Sequence, residues 1–248
     1  GGHFAPYKIF ESYSLYHAYL GLGKVGVCDP DWREVVVPNY FDLSEFEYKA
    51  EKDDYLLFLG RVFDGKGVNI AVQVATETGI PLKIAGQNCE SLSGTDLAPN
   101  IEVLGHASIE KRKGLMSRAK GFWLASQYSE PFGGTMVESL LSGTPVITTD
   151  WGAMTENNLH GVTGYRCRNF EQFVWAAKNV DKLDPNACRT WGENFSLERI
   201  GKRYEEFFQM CLDLRSPEGW YATRGERTNL DWLTMDLPGG NPSLQSGA

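Results

Sequence analysis

Two carboxylates, Glu130 and Glu138, stand with seven residues between them in the stretch Glu130-Pro131-Phe132-Gly133-Gly134-Thr135-Met136-Val137-Glu138. A carboxylate only accepts hydrogen bonds and can receive two vicinal hydroxyls at once. Between the two acids, Gly133, Gly134 and Thr135 can turn their backbone N–H groups toward an anion. The pattern suits a ligand whose sugar hydroxyls flank phosphates. A second group lies upstream, Gly60-Arg61-Val62-Phe63-Asp64-Gly65-Lys66-Gly67. Its glycines let the backbone approach a ligand closely. Arg61 offers a planar fork and Lys66 a point charge to a diphosphate. It is not a P-loop, because the spacing GxxxxGK followed by Ser or Thr is absent. Spacing alone leaves a bland alternative open for each group. The first could be a loop charge plus an acid favoured near a helix N-terminus, the second a solvated turn.

The elements that would position these residues are read from periodicity. Residues 55–60 (YLLFLG) form an apolar run of the kind expected for a parallel strand buried on both faces. Further strands are predicted at 81–86, 101–105, 121–125 and 145–149. Helices are predicted at 68–78, 108–119, 135–142, 170–180 and 197–212, with Ser108 as an N-cap and Gly143 as a stop. Ahead of them, residues 7–19 carry aromatics at helical spacing, and residues 34–39 read as a strand ended by Pro38. The acidic stretch 40–53 reads as a linker. The alternation predicts an α/β fold, a doubly wound parallel sheet of Rossmann type spanning about 54–180.

Such sheets bind ligands outside the carboxyl ends of their strands. Chemistry is therefore expected in the loops after Gly60, Gly86, Gly105, Ala125 and Thr149. Gln87 and His106 fall in two of those loops and are candidate contacts to a base or ribose. A satisfied surface histidine is the competing reading for His106. Lys111-Arg112-Lys113 reads as a solvated helix face. His160 reads as structural.

Of the 248 residues, 24 are Lys or Arg and 32 are Asp or Glu, a net charge of −8. That balance argues against nucleic acid or an anionic membrane as the main partner, while allowing a local basic pocket. No run of ~18 apolar residues occurs, so no membrane span is expected. The five cysteines, Cys28, Cys89, Cys167, Cys188 and Cys211, are scattered and form no CxxC. Neither a zinc site nor a disulfide framework is signalled, and a reducing, cytoplasmic setting is expected.

The string from Glu130 to Glu138 resembles the signature of retaining glycosyltransferases of family 4, enzymes of the two-domain GT-B fold. The likeness continues through EPFGGTMVESLLSGTPVITTDWGAMTE, and Gly60-Arg61…Lys66-Gly67 matches the family's donor-phosphate motif. It covers roughly residues 34 to 214. The resemblance implies transfer of a hexosyl group from a UDP- or GDP-linked sugar to an unknown sugar or glycan acceptor. It implies that Arg61 and Lys66 hold the diphosphate and stabilise the departing nucleotide, that Glu138 binds the ribose hydroxyls, and that Glu130 contacts the donor sugar. Gly60, Phe132, Gly133, Gly134 and Thr135 would line the donor. No metal and no cofactor is expected. Asp53-Asp54 falls in the linker and Asp29-Pro30-Asp31 outside the donor domain.

The family's full enzymes carry an acceptor domain ahead of the donor domain, and the residues before 54 are too few for it. The expected organisation is a remnant of that domain plus crossover at 1–53, the donor domain at 54–214, and a helix and tail at 215–248 that pack on the missing half. Either the sequence is a truncated piece of a longer chain, or a separate chain or a second copy supplies that half. Trp220, Tyr221 and Trp232 are expected to pack there, and the Gly/Pro/Ser-rich tail 237–248 is expected to be mobile. Two other readings compete. One is a non-catalytic nucleotide-sugar-binding module; the other is a different GT-B enzyme, such as a nucleotide-sugar epimerase.

Overall fold

The computed structural model describes residues 5–23, 30–92, 96–215, 217–221 and 235–238. Cys28, Trp232, the side chain of Trp220 and most of the tail lie outside the described residues. The chain opens with β1 (Lys8–Phe10), α1 (Tyr13–Gly23) and β2 (Glu34–Val36). β1 and β2 pair in parallel as a separate two-stranded sheet. The aromatic spacing of residues 7–19 had suggested one continuous helix. Instead the buried Ser12 breaks it, its Oγ accepting from the Leu15 N–H at 3.0 Å. Phe10 keeps helical spacing because its ring packs across that break on Tyr16 and Tyr19, at 4.8 and 4.9 Å.

The main body alternates strand and helix. It comprises β3 (Asp53–Leu59), α2 (Val68–Thr78), β4 (Leu82–Ala85), β5 (Ile101–Gly105), α3 (Ile109–Arg118), β6 (Ala119–Leu124), α4 (Gly134–Leu141), β7 (Val146–Thr149), α5 (Met154–Asn157), β8 (Gly164–Cys167), α6 (Phe170–Asn179), α7 (Pro185–Gly192) and α8 (Leu197–Asp213). The six strands form one sheet in the order β5-β4-β3-β6-β7-β8, with every pair parallel. This is the doubly wound α/β arrangement expected, in the order of a dinucleotide-binding fold.

Successive strand residues face opposite sides. Leu57, Leu59, Phe122 and Leu124 pack with Met136 and Leu140 of α4 and Trp191 of α7. Leu56, Phe58, Trp123 and Ile147 pack with Val74 of α2 and Phe173 of α6. A strand buried on both faces needs no polar alternation, which is why the run at 55–60 reads as it does.

Three departures from the sequence reading have local causes. β8 and α7 escape the pattern because four residues, GYRC, and eight residues led by Pro185 are too short for a clear period. The stretch 40–52 is not a loose connection, since Phe41, Leu43 and Phe46 pack on the core. The α8 stripe is only partly covered: Ile200 and Phe207 are buried, whereas Leu197, Phe208 and Leu212 are exposed. Tyr221 is exposed as well.

Candidate functional site: the rim between β3 and β6

β3 and β6 are neighbours at the centre of the sheet, and the strand order reverses between them. The chain leaves β3 toward one sheet edge and β6 toward the other, so their carboxyl-end loops face each other across a crevice. Both loops then enter helices, which turns the N-termini of α2 and α4 toward the same rim.

Glycine makes this close approach feasible. Gly67 adopts φ +69°, and a Cβ there would lie 2.0 Å from the Ala125 carbonyl oxygen. The two loops are also fastened together, the Gln127 N–H donating to the Gly65 carbonyl at 2.8 Å and its Nε2 to the Asp64 carbonyl at 3.0 Å.

Lys66 and Glu130 meet here as an ion pair, with side chains 23% and 7% exposed. The same Glu130 oxygen accepts from Ser126 Oγ at 2.5 Å. The Glu130 carbonyl accepts from the Ala153 N–H at 3.0 Å, which ties the loop to the segment after β7. The Lys66 Nζ sits 5.0 Å from the centre of the Tyr128 ring. Burial by itself lowers the Lys66 pKa, but the bonds to Glu130 and Tyr128 outweigh it and leave the ammonium above its ordinary value. Lys66 is therefore a fixed cation at neutral pH.

A cavity of about 380 Å³ opens beside this pair, lined by Gly60, Arg61, Lys66, Gln87, Tyr128 and Thr135 among others. Arg61 is exposed and makes no hydrogen bond or ion pair with any described residue. A Cβ on Gly60 would meet nothing within 4 Å, so this glycine leaves room rather than relieving a clash.

Gly133 caps α4 in the left-handed region at φ +83°, without any side-chain cap. The N–H groups of Gly134 and Thr135 have no acceptor among the described residues, as expected for the first turn of a helix. Phe132 is buried against Phe41 and Phe195, and its carbonyl accepts from Asn157 Nδ2 at 3.0 Å. Its side chain anchors the loop, leaving only backbone to offer a ligand.

Glu138 lies one turn further along α4, on the same accessible stripe as Thr135. It lines a second cavity of about 280 Å³ with Glu45, Ile109, Arg112 and Lys113. Arg112 Nη2 donates to Glu138 Oε2 at 2.9 Å. Burial pushes the Glu138 carboxyl above its ordinary pKa, while Arg112 pulls it back down.

The geometry thus joins Lys66 to Glu130, places Arg61 and Gln87 on the cavity that Lys66 lines, and sets Glu138 in a second one. His106 is exposed at the end of β5 and lines neither. His160 Nδ1 accepts from the Arg166 N–H at 3.0 Å, a structural role. Trp151 Nε1 donates to the Ser126 and Tyr128 carbonyls, bracing the loop.

Ser126, Tyr128 and Arg112 escaped the sequence reading. The first two lie in the loop after β6, one of those flagged for chemistry. Arg112 was read as part of a solvated face, but it stands opposite Glu138, 26 residues away. No local pattern announces such a pairing.

Among the described residues no helix is long and apolar enough to cross a membrane, and no cluster of three or more His, Cys, Asp or Glu is placed to hold a metal.

The chain is 31% identical over 207 residues to the glycogen synthase of Mycobacterium tuberculosis, covering 77% of this chain and 49% of that protein. It is 29% identical over 153 residues to sucrose synthase 2 of Zea mays, covering 55% of this chain and 18% of that protein. It thus spans about half the length, or less, of these relatives. Among solved structures it resembles Anabaena HepE in complex with UDP-glucose, with TM-score 0.71 and 16% identity, covering 84% of this chain and 65% of that one. It also resembles AviGT4, a glycosyltransferase involved in avilamycin A biosynthesis, with TM-score 0.69 and 22% identity, covering 82% and 63%. The model of glycosyl transferases group 1 matches residues 41–195, most of the described body, and the chain belongs to that family.

Proposed function

We propose that this chain is the donor-binding half of a retaining, metal-independent hexosyltransferase that uses a UDP- or GDP-linked sugar. The observation that carries the reading is the Lys66–Glu130 pair at the sheet's reversal point, with Arg61, which has no partner among the described residues, on the cavity that Lys66 lines. Breaking the anomeric bond puts negative charge on the leaving diphosphate. Arg61, Lys66 and the N–H groups of Gly133, Gly134 and Thr135 sit where that charge develops. Donors fixed in place before the reaction are each worth about 3–4 kcal/mol of barrier. They supply the charge neutralisation that a metal supplies elsewhere.

Glu130 serves the sugar hydroxyls, Glu138 the ribose diol, and Gln87 the base; His106, exposed outside both cavities, takes no part in this scheme. In this scheme Lys66 exchanges Glu130 for phosphate when the donor arrives. The carboxylate is then released to the sugar just as the charge beside it changes hands. HepE, whose structure was solved with UDP-glucose, supports the choice of ligand class.

The same reading gives residues 1–53 to the end of an acceptor domain plus crossover, 54–214 to the donor domain, and 215–248 to a segment packing back on the acceptor half. The separate β1–β2 pair supports that division. The acceptor site lies on that other half, whether in the same polypeptide, a separate chain or a second copy.

Thermal denaturation with millimolar UDP- or GDP-sugars tests the proposal. A raised Tm that disappears in the Lys66→Ala/Glu138→Ala double variant supports it. No protection by any nucleotide overturns it.

A further inference from the structure

The second cavity has a cation of its own. Arg112, near the start of α3, reaches across to Glu138 in α4 at 2.9 Å, with side chains 41% and 23% exposed. The charged groups facing Glu138 are Arg112 and Lys113 from α3 and Glu45 from the crossover before β3. α4 brings no other charge of its own. Lys113 leans toward Glu110 instead, at 3.7 Å, which leaves Arg112 as the direct partner.

Burial favours the protonated form of Glu138, Glu45 adds to that, and Arg112 opposes both. Protonation matters for a diol, because a carboxylic acid gives up acceptor capacity to become a donor. Orientation matters too, since ordering a free Glu side chain costs entropy. Arg112 engages only Oε2. Oε1 and the remaining lone pair of Oε2 are left to accept two hydroxyls.

We propose that Arg112 is a positioning residue for nucleotide binding, holding Glu138 as an aimed carboxylate for the ribose diol. The inference rests on the reading of Glu138 as the ribose acceptor. Arg112 itself need not touch the nucleotide, and its effect is confined to the ribose end of the ligand. Removing it leaves the cations at the diphosphate in place.

The test is calorimetric titration of the whole chain between pH 5 and 8. UDP and GDP are titrated, each with its 2′-deoxy counterpart, into wild type, Arg112→Met, Arg112→Gln, Arg112→Lys and Glu138→Gln. Wild type should prefer the ribonucleotide about tenfold, the scale of one charge-assisted hydrogen bond. Arg112→Met and Arg112→Gln should lose that preference, and their binding should fail at a higher pH as acid is added. Arg112→Lys should restore most of both.

If Arg112→Met and Arg112→Gln keep the preference and the acid limb while Glu138→Gln loses the preference, the inference fails and the ribose reading stands. If Glu138→Gln keeps the preference, the ribose reading falls and takes the inference with it. Should one Arg112 variant not fold, the other carries the comparison, since both remove the charge at a half-exposed position.

Discussion

Lys66 and Glu130 are 64 residues apart in the chain and form an ion pair at the centre of the sheet's carboxyl edge, with Tyr128 against the ammonium and Ser126 against the carboxylate. The topology brings them together. The loops after β3 and β6 are neighbours only because those strands are adjacent where the sheet changes direction. The pair is self-neutralising, so a diphosphate must compete for Lys66.

That competition gives opposite effects on stability and affinity. Glu130→Gln should lower stability by about 1–3 kcal/mol, because it replaces a charged partner of Lys66 by a neutral acceptor. It should also bind a bare nucleoside diphosphate more tightly while losing sugar transfer. Lys66→Met should lose stability and nucleotide affinity together. Denaturant midpoints and calorimetric titration of the two variants separate the cases. Parallel losses of affinity in both would contradict the exchange of Lys66 from carboxylate to phosphate.

Two glycines of one loop should respond differently to alanine. Gly67→Ala places a Cβ 2.0 Å from the Ala125 carbonyl oxygen at φ +69°. The left-handed backbone alone costs about 1–2 kcal/mol for a residue with a side chain, and the clash adds to it. Gly60→Ala meets nothing within 4 Å, so its stability should stay within ~0.5 kcal/mol of wild type. Its methyl would intrude on the cavity, and nucleotide affinity should fall. Urea midpoints and a nucleotide titration check both halves.

Lys52 predicts a dependence on alkaline pH. Its Nζ donates to the Ser117 and Ser142 carbonyls at 2.8 and 3.1 Å and to Thr144 Oγ1 at 3.0 Å. Burial lowers its pKa from 10.5 to about 8. Between those two values the unfolded chain holds more protons than the folded one. The contribution of Lys52 to stability therefore rises as pH increases from about 8 to 10.5, and is flat below that window. The stability difference between wild type and Lys52→Met should widen in favour of wild type across the window. A constant difference would show that the lysine keeps its ordinary pKa.

Five of the six strands and their loops were legible in the sequence, the central ones because a strand buried on both faces reads as an unbroken apolar run. The helices α2 and α4 were legible from their periodicity, and α4 also because Gly143 stops it. Lys66 and Glu130 were legible as residue types in loops of the right class. Their contact follows from strand order, which no local pattern encodes. Arg112 illustrates the remainder, since its partner Glu138 sits on a neighbouring helix and their meeting depends on how α3 and α4 pack. The break at Ser12 was hidden because Phe10 packs on the helix that follows and so mimics its period.

The most direct measurement is a crystal structure of the chain with UDP bound. The account predicts the diphosphate within about 3 Å of Lys66 Nζ and the Arg61 guanidinium. It also predicts the first-turn N–H groups of α4 on the phosphates and the ribose hydroxyls on the Glu138 carboxylate. A diphosphate bound away from Lys66, or a ribose pointing away from Glu138, would contradict it.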